Sequence, residues 1–127
     1  LPPTIIECDN HNRPTAENEL FGPVLSVMKF NDEKEVIEKM NDNQYGLSSG
    51  VYTSDFARGL RVSNAIRAGI TFVNTYRLIS PSAPFGGIKD SGYGKEAGME
   101  SIKDYTRVKT TWYYTSDEPT LDPFSIR

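Results

Sequence analysis

A chain of 127 residues has room for one domain of ordinary size. Its net charge of −3 and sequence pI near 5.1 give it little with which to neutralise a phosphate backbone, so no nucleic-acid partner is expected. No apolar run approaches the ~18 residues of a membrane span, and a single cysteine allows no internal disulfide.

No signal-peptide pattern opens the chain, and a cytoplasmic setting is expected. The sequence begins at Leu1 rather than Met, which suggests an incomplete object. Hydrophobic residues make up 37% of the chain and glycine adds 10 residues. That is lean against the ~45–50% apolar share of a typical domain. Such a chain relies on something else to cover its apolar faces.

In chain order, TIIEC (4–8) reads as a strand and DNHNRPTAEN (9–18) as a polar loop. ENELFGPV (17–24) is a poor helix because Gly22-Pro23 breaks one. It is also a poor surface loop, since Leu20 and Phe21 are large and apolar. It reads as a rigid corner that aims Glu19 and Phe21 at something. VLSVMKF (24–30) has apolar side chains on both parities, the pattern of a strand covered on both faces.

Residues 31–43 read as a helix capped by Asn31 or Asp32, with Glu35 completing a capping-box-like pair. Val36, Ile37 and Met40 form its buried stripe, and Gly46 is placed to end it. LSSGVYT (47–53) is the next strand. Residues 54–66 form a second helix, capped by Ser54 or Asp55, with Phe56, Leu60, Ala65 and Ile66 toward the core. Gly69 stops it before ITFVN (70–74), another strand.

This alternation predicts an α/β fold, a mostly parallel sheet with flanking helices. Ligands in such sheets sit outside the carboxyl ends of the strands. The long stretch after Asn74, residues 75–98, therefore reads as an ordered binding loop. A short helix over 99–105 follows, then RVKTTWYYT (107–115), whose alternation predicts an edge strand. Residues 116–127 form a weakly patterned tail.

Several signals fail. The glycines of GYGKEAG (92–98) are spaced GxGxxxG and follow a loop, so they read as backbone punctuation rather than a dinucleotide cradle. GIKDSGYGK (87–95) is not a phosphate loop. His11, the only histidine, gives no metal site. Cys8 reads as a buried, unreactive thiol, with no basic partner evident nearby in sequence. The charges of 32–38 read as a solvated helix face.

Taken together, ENELFGPVLSV (17–27), NDNQYGLSSGVYT (41–53), GITFVN (69–74) and PFGGIKDSGYGKEAG (84–98) resemble the carboxyl-terminal part of the NAD(P)-dependent aldehyde dehydrogenases. The resemblance runs from about residue 3 to residue 115. It implies a partial aldehyde dehydrogenase catalytic domain over 1–106, and an oligomerisation strand and tail over 107–127. Glu19 then matches the acid that binds the nicotinamide-ribose hydroxyls, and Phe21 the ring that flanks the nicotinamide. Ile79 and Phe85 would line the aldehyde tunnel, and Asn74 would buttress the strand end.

The family's mechanism is covalent, through a cysteine thiohemiacetal and thioester. Its nucleophile and its water-activating glutamate lie upstream of the matching segment, and Cys8 does not match the nucleophile's motif. The resemblance thus implies NAD or NADP as cofactor, a small aldehyde as substrate and a homo-oligomer formed through 107–115, with this segment inactive by itself. A truncated, non-catalytic α/β protein that self-associates through its C-terminal strand, and an independent small binding module, are the alternatives. Three departures from the pattern stand out: Asn18, the Arg13-Pro14-Thr15 lead-in and Arg77. A cation at Arg77 would favour an acidic aldehyde, although long arginines more often face solvent.

Overall fold

The computed structural model describes residues 1–119 and 122–124; the rest of the expected tail lies outside the described residues. Strand β1 (Thr4–Glu7) lies parallel to β2 (Val24–Val27), with Thr4 opposite Val24 and Glu7 opposite Val27. The connection contains a one-turn helix, α1 (Pro14–Glu17). Residues 9–18 read as loop in the sequence, yet Pro14 stands at the first helical turn, where its fixed φ suits a helix start. Arg13 grips Asp9 through two hydrogen bonds of 2.9 and 3.0 Å. Asn18 closes the turn by donating both its backbone N–H and its Nδ2 to the Pro14 carbonyl, each at 3.0 Å.

Helix α2 (Glu33–Asn41) starts at Asp32, whose Oδ1 accepts from the Glu35 N–H at 2.8 Å. The return half of the expected capping box reaches one residue further back. Glu35 Oε2 accepts from the N–H of Asn31 at 2.7 Å, while Oε1 takes the Lys39 ammonium at 2.6 Å. The helix ends five residues before Gly46, so Gly46 does not terminate it. The Asn41 side chain instead staples α2 to the end of the next helix, donating to the Ala65 carbonyl at 2.9 Å and accepting from the Arg67 N–H at 2.7 Å.

Strand β3 (Ser48–Val51) and β4 (Ile70–Val73) pair in parallel, and α3 (Phe56–Ala65) is the crossover between them. Asp55 caps α3 by accepting from the Arg58 N–H. The buried residues of α3 are Gly59 and Val62, with the expected Ile66 buried just beyond its end, whereas the expected Phe56 and Leu60 are 82% and 55% exposed. Gly59 sets that register: a Cβ there would stand 3.0 Å from Val73 Cγ1, so the helix presses its glycine face onto β4. At the other flank, Glu33 of α2 holds Arg61 of α3 through contacts of 2.6 and 2.8 Å.

The strands are parallel, as the sequence predicts, but fall into two two-stranded sheets, β1–β2 and β3–β4. The double cover expected for 24–30 is not present among the described residues: Leu25 and Val27 are exposed, as is Ile5 beside them. A 3₁₀ turn (Met99–Ser101) runs into α4 (Ile102–Tyr105), matching the helix expected there. Residues 107–115, expected as a strand, pair with nothing among the described residues and are exposed on both faces, Val108 and Trp112 almost completely. The expected edge strand is therefore not formed among the described residues.

Three donors engage the Glu35 carboxylate. The Lys39 hydrogen bond first, then those from Asn31, depress its pKa from 4.5 to about 2. A carboxyl held low in the folded state stabilises it fully above the free value and loses that contribution as pH falls toward the folded one. Between about pH 4.5 and pH 2, Glu35→Gln is therefore expected to flatten the fall in thermal midpoint relative to the parent chain, followed by circular dichroism.

Candidate functional site

The carboxyl ends of β3 and β4 are closed by Asn74. Its backbone N–H donates to the Val51 carbonyl at 2.8 Å, extending the ladder by one step. Its side-chain amide then acts as a further peptide group, accepting from the Thr53 N–H and donating to the Thr53 carbonyl, both at 2.8 Å. Asn74 does this at φ +53, a left-handed conformation that asparagine tolerates better than most residues. Tyr52 adds a hydroxyl donor to the Thr75 carbonyl at 3.2 Å. The strand end is buttressed as the sequence suggests.

The long stretch beyond it is ordered by backbone contacts. Phe85 and Glu96 exchange two hydrogen bonds of 2.7 Å, and Lys95 Nζ reaches the carbonyls of Gly86 and Gly87 at 2.8 Å each. Gly46 is the anchor. Its carbonyl accepts from Gly69 at 2.9 Å and Ile88 at 3.1 Å, and its N–H donates to Ser91 Oγ at 3.0 Å. Lys89 closes the junction by donating to the carbonyls of Asn41 and Asn43 at 3.0 and 2.7 Å. A Cβ on Gly69 would lie 1.8 Å from the Gly86 carbonyl oxygen, so the two loops meet main chain to main chain. Gly98, at φ +61 and pressed on Pro84, is a turn residue. Lys89, Lys95 and Asn41 lie inside the matching motifs, but no pattern in the sequence assigns them a role. Their partners are backbone carbonyls or amides distant in sequence, which leave no periodic signal.

Glu19 lies exposed on the wall of a cleft of about 790 Å³. The end of α1, Met40 of α2 and the start of β3 also line it. Its carboxylate has no hydrogen bond or ion pair among the described residues, so both oxygens are available. His11 lines the same cleft, with a buried Nδ1 that has no partner among the described residues.

Phe21 sits beyond this cleft at φ +39 and is 93% exposed. The corner that carries it is tight, with the Val24 N–H donating back to the Gly22 carbonyl at 2.8 Å. Phe85, half-buried, lines a second cleft of about 610 Å³, and Leu47 and Ser91 line both clefts. The fold thus brings Glu19 and Phe85 to adjoining clefts. Phe21 and Ile79 line neither and stand open to solvent.

Cys8 is buried at 5% exposure, with its Sγ 3.7 Å from Thr15 Oγ1. The described residues contain no group of three potential metal-ligating side chains, and no helix among them is long and apolar enough to cross a membrane.

Residues 1–111 match the model of the aldehyde dehydrogenase family. The chain is 50% identical over 127 residues to the (Z)-2-((N-methylformamido)methylene)-5-hydroxybutyrolactone dehydrogenase of Acinetobacter baylyi, covering 99% of this chain and 26% of that protein. It is 44% identical to the betaine aldehyde dehydrogenase of Brucella anthropi, over 88% of this chain and 23% of that protein. Its fold superposes on P. syringae AldA indole-3-acetaldehyde dehydrogenase, solved as a mutant with NAD+ and IAA. The TM-score is 0.84 at 39% identity, over 89% of this chain and 23% of that one. PnpE from Pseudomonas sp. WBC-3 gives the same TM-score at 37% identity, over 96% of this chain and 24% of that one. The chain spans about a quarter of the length of these curated relatives.

The contact between the two loops sets a test. A methyl group at Gly69 must displace the Gly86 backbone, whereas one at Gly94 meets nothing closer than 3.9 Å. Gly69→Ala is expected to destabilise the chain by about 2–3 kcal/mol, and Gly94→Ala by less than about 0.5 kcal/mol, read from urea midpoints.

Proposed function

The chain belongs to the aldehyde dehydrogenase family. From that premise we propose that it is the carboxyl-side part of a cytoplasmic NAD(P)-dependent enzyme that oxidises an aldehyde to a carboxylic acid. The observation that carries this reading is the family match over residues 1–111. Residues 1–106 would be part of the catalytic domain, and residues 107–127 the oligomerisation strand and tail.

Glu19 is the cofactor acid in this reading. Its unengaged carboxylate suits the nicotinamide ribose, because two acceptor oxygens take two vicinal hydroxyls. Phe21 offers an exposed aromatic face that can flank the nicotinamide without a competing hydrogen bond. The bound cofactor would supply the hydride acceptor. Ile79 and Phe85 would form part of the aldehyde-tunnel wall, held against the sheet by the Gly46 junction. The thiolate that attacks the aldehyde and the glutamate that activates water would come from sequence other than this segment. Burial of Cys8 against Thr15 supports that division.

Residues 107–115 would add to the sheet of another subunit. Their open backbone and exposed Trp112 and Tyr113 support pairing at an edge. The same feature favours the second reading, a non-catalytic protein that self-associates; light scattering on the 127-residue chain showing only monomer would count against that one.

Incubated with NAD+ or NADP+ and a panel of aldehydes, the 127-residue chain is expected to produce no reduced cofactor at 340 nm. Turnover that disappears in Cys8→Ser would overturn the assignment of the reacting thiol to another segment. In a longer protein that carries this chain and oxidises aldehydes, Glu19→Gln should raise the KM for the dinucleotide about tenfold, as loss of a charge-assisted hydrogen bond implies.

A further inference from the structure

Four side chains build the loop just outside the carboxyl end of β4. Asn74 locks its start to Thr53, and Tyr52 holds Thr75. Tyr76 packs edge-on against the buried Phe72, with ring centroids 6.2 Å apart at 71°. The Arg77 guanidinium lies over the Tyr76 ring, Cζ 5.7 Å from the centroid. Arg77 also holds φ +57. Left-handed backbone is unfavourable for a long side chain and collects at ligand-handling sites.

Stacking on a ring restrains a guanidinium while leaving its N–H donors free. No hydrogen bond or ion pair engages those of Arg77 among the described residues. Beside it stand Leu78 and Ile79, 74% and 63% exposed. A restrained, unpaired cation next to two open apolar side chains suits a ligand with an apolar body and an anionic end. Residues 74–79 contain no second cation to share a phosphate dianion, so the geometry favours a carboxylate, which one guanidinium can take in bidentate fashion.

We infer that Arg77 is a specificity-determining residue that binds the far-end carboxylate of an acidic aldehyde, with Leu78 and Ile79 against its chain. This rests on the aldehyde-oxidising reading above and names its substrate class.

Two measurements separate the inference from that reading. In the 127-residue chain, the Arg77 Nε–H resonance, assigned by its loss in Arg77→Gln, is followed during titration with hexanoate, hexanol and inorganic phosphate. A saturable shift with hexanoate alone is the expected result. No shift, or an equal shift with phosphate, overturns the carboxylate assignment.

The second measurement uses a longer protein carrying this chain. Arg77→Gln should raise the KM for a four-carbon aldehyde acid roughly 10–100-fold, leave that for butanal within about twofold, and be partly rescued by Arg77→Lys. Equal effects on both substrates, or none, overturn the inference. Absence of turnover with every aldehyde refutes the enzymatic reading and the substrate assignment with it, while the titration still reports whether Arg77 binds carboxylate.

Discussion

The junction at Gly46 is the constraint on which the rest of this molecule depends. One carbonyl takes donors from Gly69 and from Ile88, which belong to different segments, and the same residue's N–H reaches Ser91. Backbone polar groups buried between loops must be paired, because leaving one unmade costs about 1–3 kcal/mol. Here the pairing partners are themselves the loops that shape the clefts. Gly46 has no room to gain a side chain: a Cβ would stand 2.8 Å from Ile88 Cγ1 and 3.1 Å from the Arg67 carbonyl oxygen. The α2–α3 staple through Asn41 and the Lys89 contacts converge on the same region, so the βαβ unit and the long loop hold together as one piece.

Away from that junction the chain is thinly covered. Only Cys8, Val62, Ile66 and Phe72 count as buried hydrophobic residues among the described ones, against a long run of exposed large side chains. The accessible surface is 10903 Å², whereas a compact monomer of this mass exposes about 6,800 Å². An excess on the order of 4,000 Å² is the size of surface that obligate protein contacts bury. The open faces of β1 and β2 and the extended residues 107–115 account for its character, since both are apolar and both present backbone or side chains that favour cover. The lean composition and the uncovered surface are two views of one property: the described residues do not cover many of their own apolar groups.

Sequence patterns carried the local structure well where the cause is local. The Asp32–Glu35 spacing reads as a helix start because both partners lie within one turn. Apolar runs located all four strands, but the alternation of 107–115 gave none among the described residues, and neither signal tells which strands are neighbours, so the split into two sheets was not legible. Phe56 and Leu60 read as core because they are large and apolar. The helix instead turns Gly59 to the sheet, a choice set by backbone approach to Val73 rather than by hydrophobicity. Gly46 read as a helix stop for a similar reason: a glycine after a helix has a local explanation, and its real partners lie more than twenty residues away. At the candidate site, Glu19 and Phe85 were legible only through motif resemblance, and the fold puts them at adjoining clefts. Phe21 and Ile79 are large and apolar yet stand open to solvent among the described residues.

The most recognisable stretch, PFGGIKDSG (84–92), illustrates how a signature differs from a site. Of its side chains, Lys89 and Ser91 bind backbone groups of residues 41, 43 and 46, and Gly86 and Gly87 are glycines because neighbouring main chain occupies the space of a Cβ. These roles tolerate few substitutions, since each fixes a distance between two backbones, and that intolerance is a physical reason for a motif to stay legible. Residues that meet a ligand are under a different constraint. Arg77 and Ile79 are exposed, and none of the junction's hydrogen bonds runs through their side chains. A rigid splice beside an exposed rim separates the residues that hold the fold from those open to solvent. By the same logic, the family is readable from the splice, and the proposed substrate contact would have to be read from the rim.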